Sequence, residues 1–148
     1  MQRTDIALKT LIGLKRTNDM MDKIIRNDVK SYGLNITEFA VLELLYNKGE
    51  HSIQRIQERI LIASSSTTYV VQKLEEKGLL QRRQCEKDRR VSYAALTDKG
   101  QALMAQIFPQ HAKAIEAAFS ELTTEELNTL QPVSYTHLTL PTTPYVEI

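Results

Sequence analysis

Apolar residues in the first thirty positions fall at Ile6, Leu8, Leu11, Ile12, Leu14, Met20, Met21, Ile24, Ile25 and Val29, close to the helical period. Thr4 or Asp5 is placed to cap that helix, no proline interrupts it, and Gly33 is placed to stop it. A helix of about thirty residues far exceeds the usual three or four turns, which predicts packing against a partner as well as against its own core. Thr37 is the candidate cap of the next helix, with Glu38 in its first turn. Phe39, Val41, Leu42, Leu44, Leu45 and Tyr46 leave that helix little polar face, so it is expected to be buried until Lys48-Gly49 ends it. Ser52 then caps a short helix, Ile53 to Ile60, with Ile53, Ile56 and Ile60 on one face. Past Leu61-Ile62-Ala63, Ser64 is the cap candidate for a helix from Ser65 to Lys77 that closes at Gly78.

The period changes next. Leu79 to Gln84 and Val91 to Leu96 are strand-like, and the polar segment Cys85 to Arg90 joins them as a hairpin. Thr97 caps a helix from Asp98 to about Leu122, in which Pro109 is expected to make a kink or a division. Thr123 and Glu126 form a capping box that opens a last helix, and the pattern breaks at Pro132. The predicted fold is mainly α with a small β-hairpin wing: a winged helix-turn-helix with a helical dimerisation region.

Composition adds little, and charge placement adds more. The chain has 148 residues, 25% of them charged and 42% hydrophobic, which suits a globular domain with its own core. The single cysteine, Cys85, rules out an internal disulfide and fits a reducing cytoplasm. The N-terminus lacks the apolar stretch of a secretory signal, and no apolar run is long enough to cross a bilayer. The net charge is only +1, yet residues 82–90 read RRQCEKDRR, a local basic cluster. Such a cluster is either a phosphate-contacting patch or a solvated turn.

The pair Ser52–Ile60 and Ser64–Lys77 has the layout of a helix-turn-helix, whose second helix enters the major groove by its N-terminal residues. That end reads Ser64-Ser65-Ser66-Thr67-Thr68-Tyr69, a run poor for helix stability. It is good for close approach, because short hydroxyls exchange hydrogen bonds with base edges and phosphates. Lys73 lies further along the same helix. A purely structural reading makes Ser64 a cap and the rest a soluble face. Ser52 and Gln54, at the start of the first helix of the pair, are candidate phosphate contacts. The hairpin follows as a wing with Lys87, Asp88, Arg89 and Arg90 at its tip, where an arginine can enter a narrow minor groove and Asp88 can hold it by a bidentate pair.

On these stretches the chain resembles the MarR family of bacterial winged-helix regulators. The carrying segments are LNITEFAVLELLY (Leu34–Tyr46), ILIASSSTTYVVQKLEEKGLLQRR (Ile60–Arg83) and KDRRVSYAALTDKG (Lys87–Gly100), with the wing signature at Asp88, Arg90, Leu96, Thr97 and Gly100. The resemblance implies a homodimer on double-stranded DNA, with recognition helices about 34–36 Å apart on a palindromic operator. It implies a dimerisation helix at 1–33, the DNA-binding region at 34–97 and further dimerisation helices at 98–131. The phrasing from Ser31 to Ser66 resembles the quinone- and catechol-responsive branch, which implies a repressor released by a small phenolic or quinone-like ligand or an electrophile. The family's peroxide-sensing branch carries its reactive thiol in the first helix, and this chain has none there. Cys85 in the wing is a candidate redox sensor, weighed against an incidental exposed cysteine. The chain is expected to be cytoplasmic and to need no cofactor.

Residues 132–148 stand apart. VSYTHLTLPT, from Val133 to Thr142, resembles the translation of a transposase adapter used in sequencing libraries, so this tail is expected to be non-native and the last dimerisation helix cut short. The competing reading is a genuine irregular C-terminal strand. On the truncation reading, Ile115, Phe119, Leu122, Leu127 and Leu130 lose cover and this chain dimerises weakly or aggregates.

Enzyme chemistry finds no support. His51, His111 and His137 are isolated in the sequence, and no His, Cys, Asp or Glu cluster has metal-ligand spacing. No phosphate-binding glycine loop or nucleophile elbow is present, and Ser64–Ser66 has no base nearby in sequence. The remaining alternative is a helical protein-interaction domain without sequence-specific DNA binding.

Overall fold

A computed structural model describes residues 1–60 and 64–134, with the side chains of Ser64 and Ser65 outside the description. The turn Leu61-Ile62-Ala63, His137 and most of the expected non-native tail lie outside the described residues. The elements run α1 (Arg3–Lys30), α2 (Ile36–Lys48), β1 (His51–Ser52), α3 (Ile53–Ile60), α4 (Ser64–Glu76), β2 (Leu80–Gln84), β3 (Ser92–Leu96), α5 (Asp98–Ala118) and α6 (Thr124–Pro132). Among the described residues no helix is long and apolar enough to cross a membrane.

Several boundaries follow from identifiable caps. α1 starts from Gln2 without a side-chain cap, so neither Thr4 nor Asp5 fills that role. Asn35, not Thr37, caps α2: its carbonyl oxygen accepts from the Glu38 N–H at 2.8 Å, and Glu38 Oε1 accepts from the Asn35 N–H at 3.1 Å. An asparagine at that place closes a reciprocal box with Glu38, which Thr37, one residue from Glu38, has no geometry to do. Ser52 does cap α3, its hydroxyl accepting from the Arg55 N–H at 3.2 Å. Thr123 and Glu126 form the expected box at the start of α6.

α5 is one helix through Pro109, not two, and ends at Ala118 rather than Leu122. The bond Pro109 cannot make would have gone to the carbonyl of Ala105. Both residues are exposed, so water can take that carbonyl, while buried Ile107 and His111 hold the helix on either side. α6 carries Pro132 inside its last turn, and Val133 keeps right-handed helical torsions, so the chain does not leave the helix where the sequence pattern breaks.

The wing has three strands instead of two, in the order β1-β3-β2. β2 and β3 pair antiparallel from Leu80↔Leu96 to Gln84↔Ser92, and β1 adds His51↔Ala94 and Ser52↔Tyr93 on the other edge of β3. A two-residue strand has no periodicity to betray it. Its effect is to tie the start of α3 to the middle strand of the wing.

The core collects Phe39, Val41, Leu42, Leu44 and Leu45 of α2, Ile56 of α3, Val70, Val71 and Leu74 of α4, Leu80 and Ala94 of the sheet, and Met104 and Ile107 of α5. α2, apolar around most of its circumference, sits at the centre and touches α1, α3, α4, α5 and β3. Gly100 fixes the junction between sheet and α5. A side chain there would run into the Leu79 carbonyl, whose oxygen accepts from the Thr97 N–H at 3.1 Å. The Thr97 hydroxyl caps α5 by accepting from the Gly100 N–H and donates to the Gly78 carbonyl at 2.6 Å.

Candidate nucleic-acid interface

α3, α4 and the wing meet around a cleft of about 290 Å³ lined by Ser52, Ile53, Gln54, Thr68, Val71, Arg82, Arg90, Val91 and Ser92. Four residues expected at the interface, Ser52, Gln54, Thr68 and Arg90, therefore come together on one face. Ser66, Thr68 and Tyr69 are exposed on the first turns of α4, while Val70, Val71 and Leu74 anchor its other side. Lys73 lies one turn on, its ammonium 5.5 Å from the Tyr69 ring centre and 3.6 Å from Glu76. Ser64 and Ser65 supply the first backbone positions of the helix.

Thr67 does not join this face. It is fully buried, so it is withdrawn from the base-reading residues and belongs to the packing beneath them. At 100° per residue, a run of six hydroxyl or small residues cannot all face outward. The member between Ser66 and Thr68 turns into the core with Val70, Val71 and Leu74.

The basic cluster at 82–90 is largely neutralised within the protein. Arg82 reaches back to α4 and meets Glu75 through Nε at 3.2 Å and Nη2 at 2.9 Å. Arg83 holds Glu50 through Nε at 3.0 Å and Nη2 at 2.6 Å, and lies 4.7 Å from the Tyr93 ring centre. The hydrogen bonds from these two arginines hold the Glu75 and Glu50 carboxyls below their ordinary value. Arg82 and Arg83 brace the wing against α4 and the α2–β1 connection. At the tip, Arg90 donates from Nε and Nη2 to the two oxygens of Asp88, and its N–H also donates to Asp88. The Asp88 carboxyl is held below its usual value by that side chain first and the N–H second. Lys87 and Arg89 are exposed, and among the described residues neither has a carboxylate partner. Cys85 is half-buried at the end of β2, with its N–H donated to the Val91 carbonyl at 2.8 Å.

The whole arrangement projects two exposed features from one packed core: the start of α4, and a wing tip ending in Lys87, Arg89 and a clamped Arg90. Residues 34–92 match the family model described as MarR family. Over 124 residues the chain is 47% identical to the HTH-type transcriptional regulator MhqR of Bacillus subtilis, covering 84% of this chain and 86% of that protein. The chain belongs to the MarR family. It is a DNA-binding transcriptional regulator and not an enzyme. The MarR fold is matched along nearly the full length by a mutant MarR from E. coli in complex with operator DNA, with a TM-score of 0.80 at 16% identity over 94% of this chain and 100% of that one. BpsR of Bordetella bronchiseptica, whose DNA binding is regulated by 6-hydroxynicotinic acid, matches with a TM-score of 0.79 at 21% identity over 88% of this chain and 99% of that one.

Sequence reasoning did not find the polar group beneath this MarR unit. His111, isolated along the chain, is buried between Asp28 of α1 and Glu43 of α2. His51 is half-buried and its Nδ1 lies 2.7 Å from the Gly49 carbonyl, so it serves the turn before β1.

Proposed function

We propose that the chain represses transcription by occupying a palindromic operator as a homodimer in the cytoplasm, and releases it when a small phenolic or quinone-like ligand, or an electrophile, binds. The observation that carries this reading is the shared face of α4 and the wing. Ser66, Thr68 and Tyr69 stand exposed beside an Arg90 already oriented by Asp88. Ser64 to Tyr69, without Thr67, then read bases from the N-terminal turn of α4, where unpaired N–H groups and the helix dipole favour phosphate as well. Ser52 and Gln54 set register on the backbone, with Lys73, Lys87 and Arg89 adding phosphate contacts.

Support for the dimer comes from α1. Ile6, Leu8, Leu11, Ile12, Leu14 and Met20 are all exposed on it, a run of large apolar side chains too long to leave in water. Residues 1–33 and 98–131 form the dimerisation region in this reading, and 34–97 the DNA-binding region. Support for a small aromatic effector comes from BpsR, which answers to a hydroxylated aromatic acid on the same fold. The ligand acts by its unequal affinity for the two spacings of the recognition helices. Cys85, near the wing tip, is the candidate for an electrophile.

Sedimentation velocity, combined with fluorescence anisotropy on an inverted-repeat duplex titrated with catechol, hydroquinone and benzoquinone, tests this reading. The expected result is a dimer that binds the duplex and is released by at least one compound. Sulfhydryl dependence is read from Cys85→Ser. A monomer on a single half-site, or a dimer indifferent to all three compounds, counts against it.

A further inference from the structure

The buried polar group at the junction of three helices has no part in touching DNA. His111 of α5 lies with Nδ1 2.8 Å from Asp28 Oδ2 and Nε2 3.6 Å from Glu43 Oε2, and all three side chains are at most 16% exposed. The Tyr32 hydroxyl donates to the other Asp28 oxygen at 2.9 Å. Phe39 and Phe108 flank the imidazole, with ring centres 4.4 and 6.2 Å away. α1 thus presents Asp28 to the ring, the turn after α1 supplies Tyr32 to Asp28, and α2 presents Glu43. The nearest charged residues of α5 itself, Lys113 and Glu116, are exposed.

Proton counting makes this arrangement conditional. If Nδ1–H is donated to Asp28, a neutral ring turns a lone pair toward Glu43, and two largely buried carboxylates are left with no positive charge between them. One proton, on Nε2 or on Glu43, turns that repulsion into attraction. At 3.6 Å the contact is past a well-formed hydrogen bond, so it has room to close. We propose that Asp28, His111 and Glu43 form a proton-operated fastener that draws α5 onto α1 and α2 when it holds this proton and loosens the three helices when the proton leaves to solvent.

Burial pushes the Glu43 carboxyl above its ordinary value of 4.5, and the charge of His111 opposes that shift. A carboxyl raised by folding contributes stability that is complete in acid and lost as pH rises through the folded value, so the fastener opens toward alkaline pH. Because α2 also packs on α3 and α4, loosening it weakens the grip on DNA. That last step rests on the proposed operator binding, whereas the fastener itself does not.

The test is urea unfolding of the full chain between about pH 5 and pH 8, on the alkaline side of an ordinary glutamate. One proton released gives up to a tenfold fall in the folding equilibrium constant per pH unit. The unmodified chain is expected to show part of that fall, and Glu43→Gln, whose amide donates to a neutral imidazole, is expected to lose it while staying folded. A pH slope in Glu43→Gln and in His111→Gln as steep as that of the unmodified chain overturns the proposal. Should neither variant fold, hydrogen exchange of the α5 amides around His111 in the unmodified chain decides, after correction for the intrinsic rate. Protection lost with rising pH supports the fastener, and protection independent of pH overturns it. If unfolding shows the slope but no inverted-repeat duplex is preferred over random sequence at any pH, the fastener stands and the proposed operator binding fails.

Discussion

Asp88 grips Arg90 through both carboxylate oxygens, Nε to Oδ1 at 3.1 Å and Nη2 to Oδ2 at 3.2 Å. Arg90 is 92% exposed there, so the pair contributes little to folding. Its value lies in orientation: a fork fixed in advance loses less freedom when it enters a groove or meets a phosphate. Arg90→Ala is expected to lower the slope of log affinity against log salt by about one for each copy bound. Asp88→Ala keeps the guanidinium but frees it and removes a carboxylate, so binding is expected to weaken by up to about fivefold while the salt slope does not fall. Anisotropy titrations at several salt concentrations separate the two effects.

Thr67 and Thr68 are neighbours with opposite surroundings, one fully buried and one exposed. Thr67→Val is expected to cost about 1 kcal/mol of stability, the worth of a lost hydroxyl contact, and to leave base preference alone. Thr68→Ala is expected to do the reverse, relaxing preference at one base position with stability held within about 0.5 kcal/mol. Urea denaturation together with binding to a set of single-base operator variants reads both.

Gly100 touches the Leu79 carbonyl so closely that no side chain fits. Gly100→Ala must push the start of α5 away from the sheet. A loss of about 3 kcal/mol is expected in chemical denaturation, the upper end of overpacking costs. An alanine variant as stable as the parent chain contradicts the packing described.

The cap of α2 gives a paired comparison. Asn35→Ala removes half of the reciprocal box with Glu38 and is expected to cost about 1 kcal/mol. Thr37→Ala, at the position favoured from the sequence, is expected to cost much less. Thermal unfolding of the two variants ranks them.

What the sequence made legible was whatever is local. The helical period of α1, the glycine stops at Gly33, Gly49 and Gly78, the box at Thr123 and Glu126, and the polar hairpin loop all depend on residues within a few positions of one another. The Asp88–Arg90 clamp was readable for the same reason. Contacts across the chain were not. His111 meets a carboxylate 83 residues away, and Arg83 meets one 33 residues away, so one looked isolated and the other looked like free positive charge. The β1 strand is defined by its pairing with β3 alone, and Thr67 by which way a helix turns in three dimensions.

In the proposed function, the face shared by α4 and the wing reads a DNA sequence as a pair of copies. A selection from random duplexes at graded salt, with the oligomeric state recorded on the same sample, tests it most directly. An inverted repeat with half-sites one helical turn apart, about 10 base pairs, is expected to be enriched, bound by a dimer and lost in Arg90→Ala. A confirmed dimer that enriches no sequence at any salt contradicts it and leaves this surface to a protein partner.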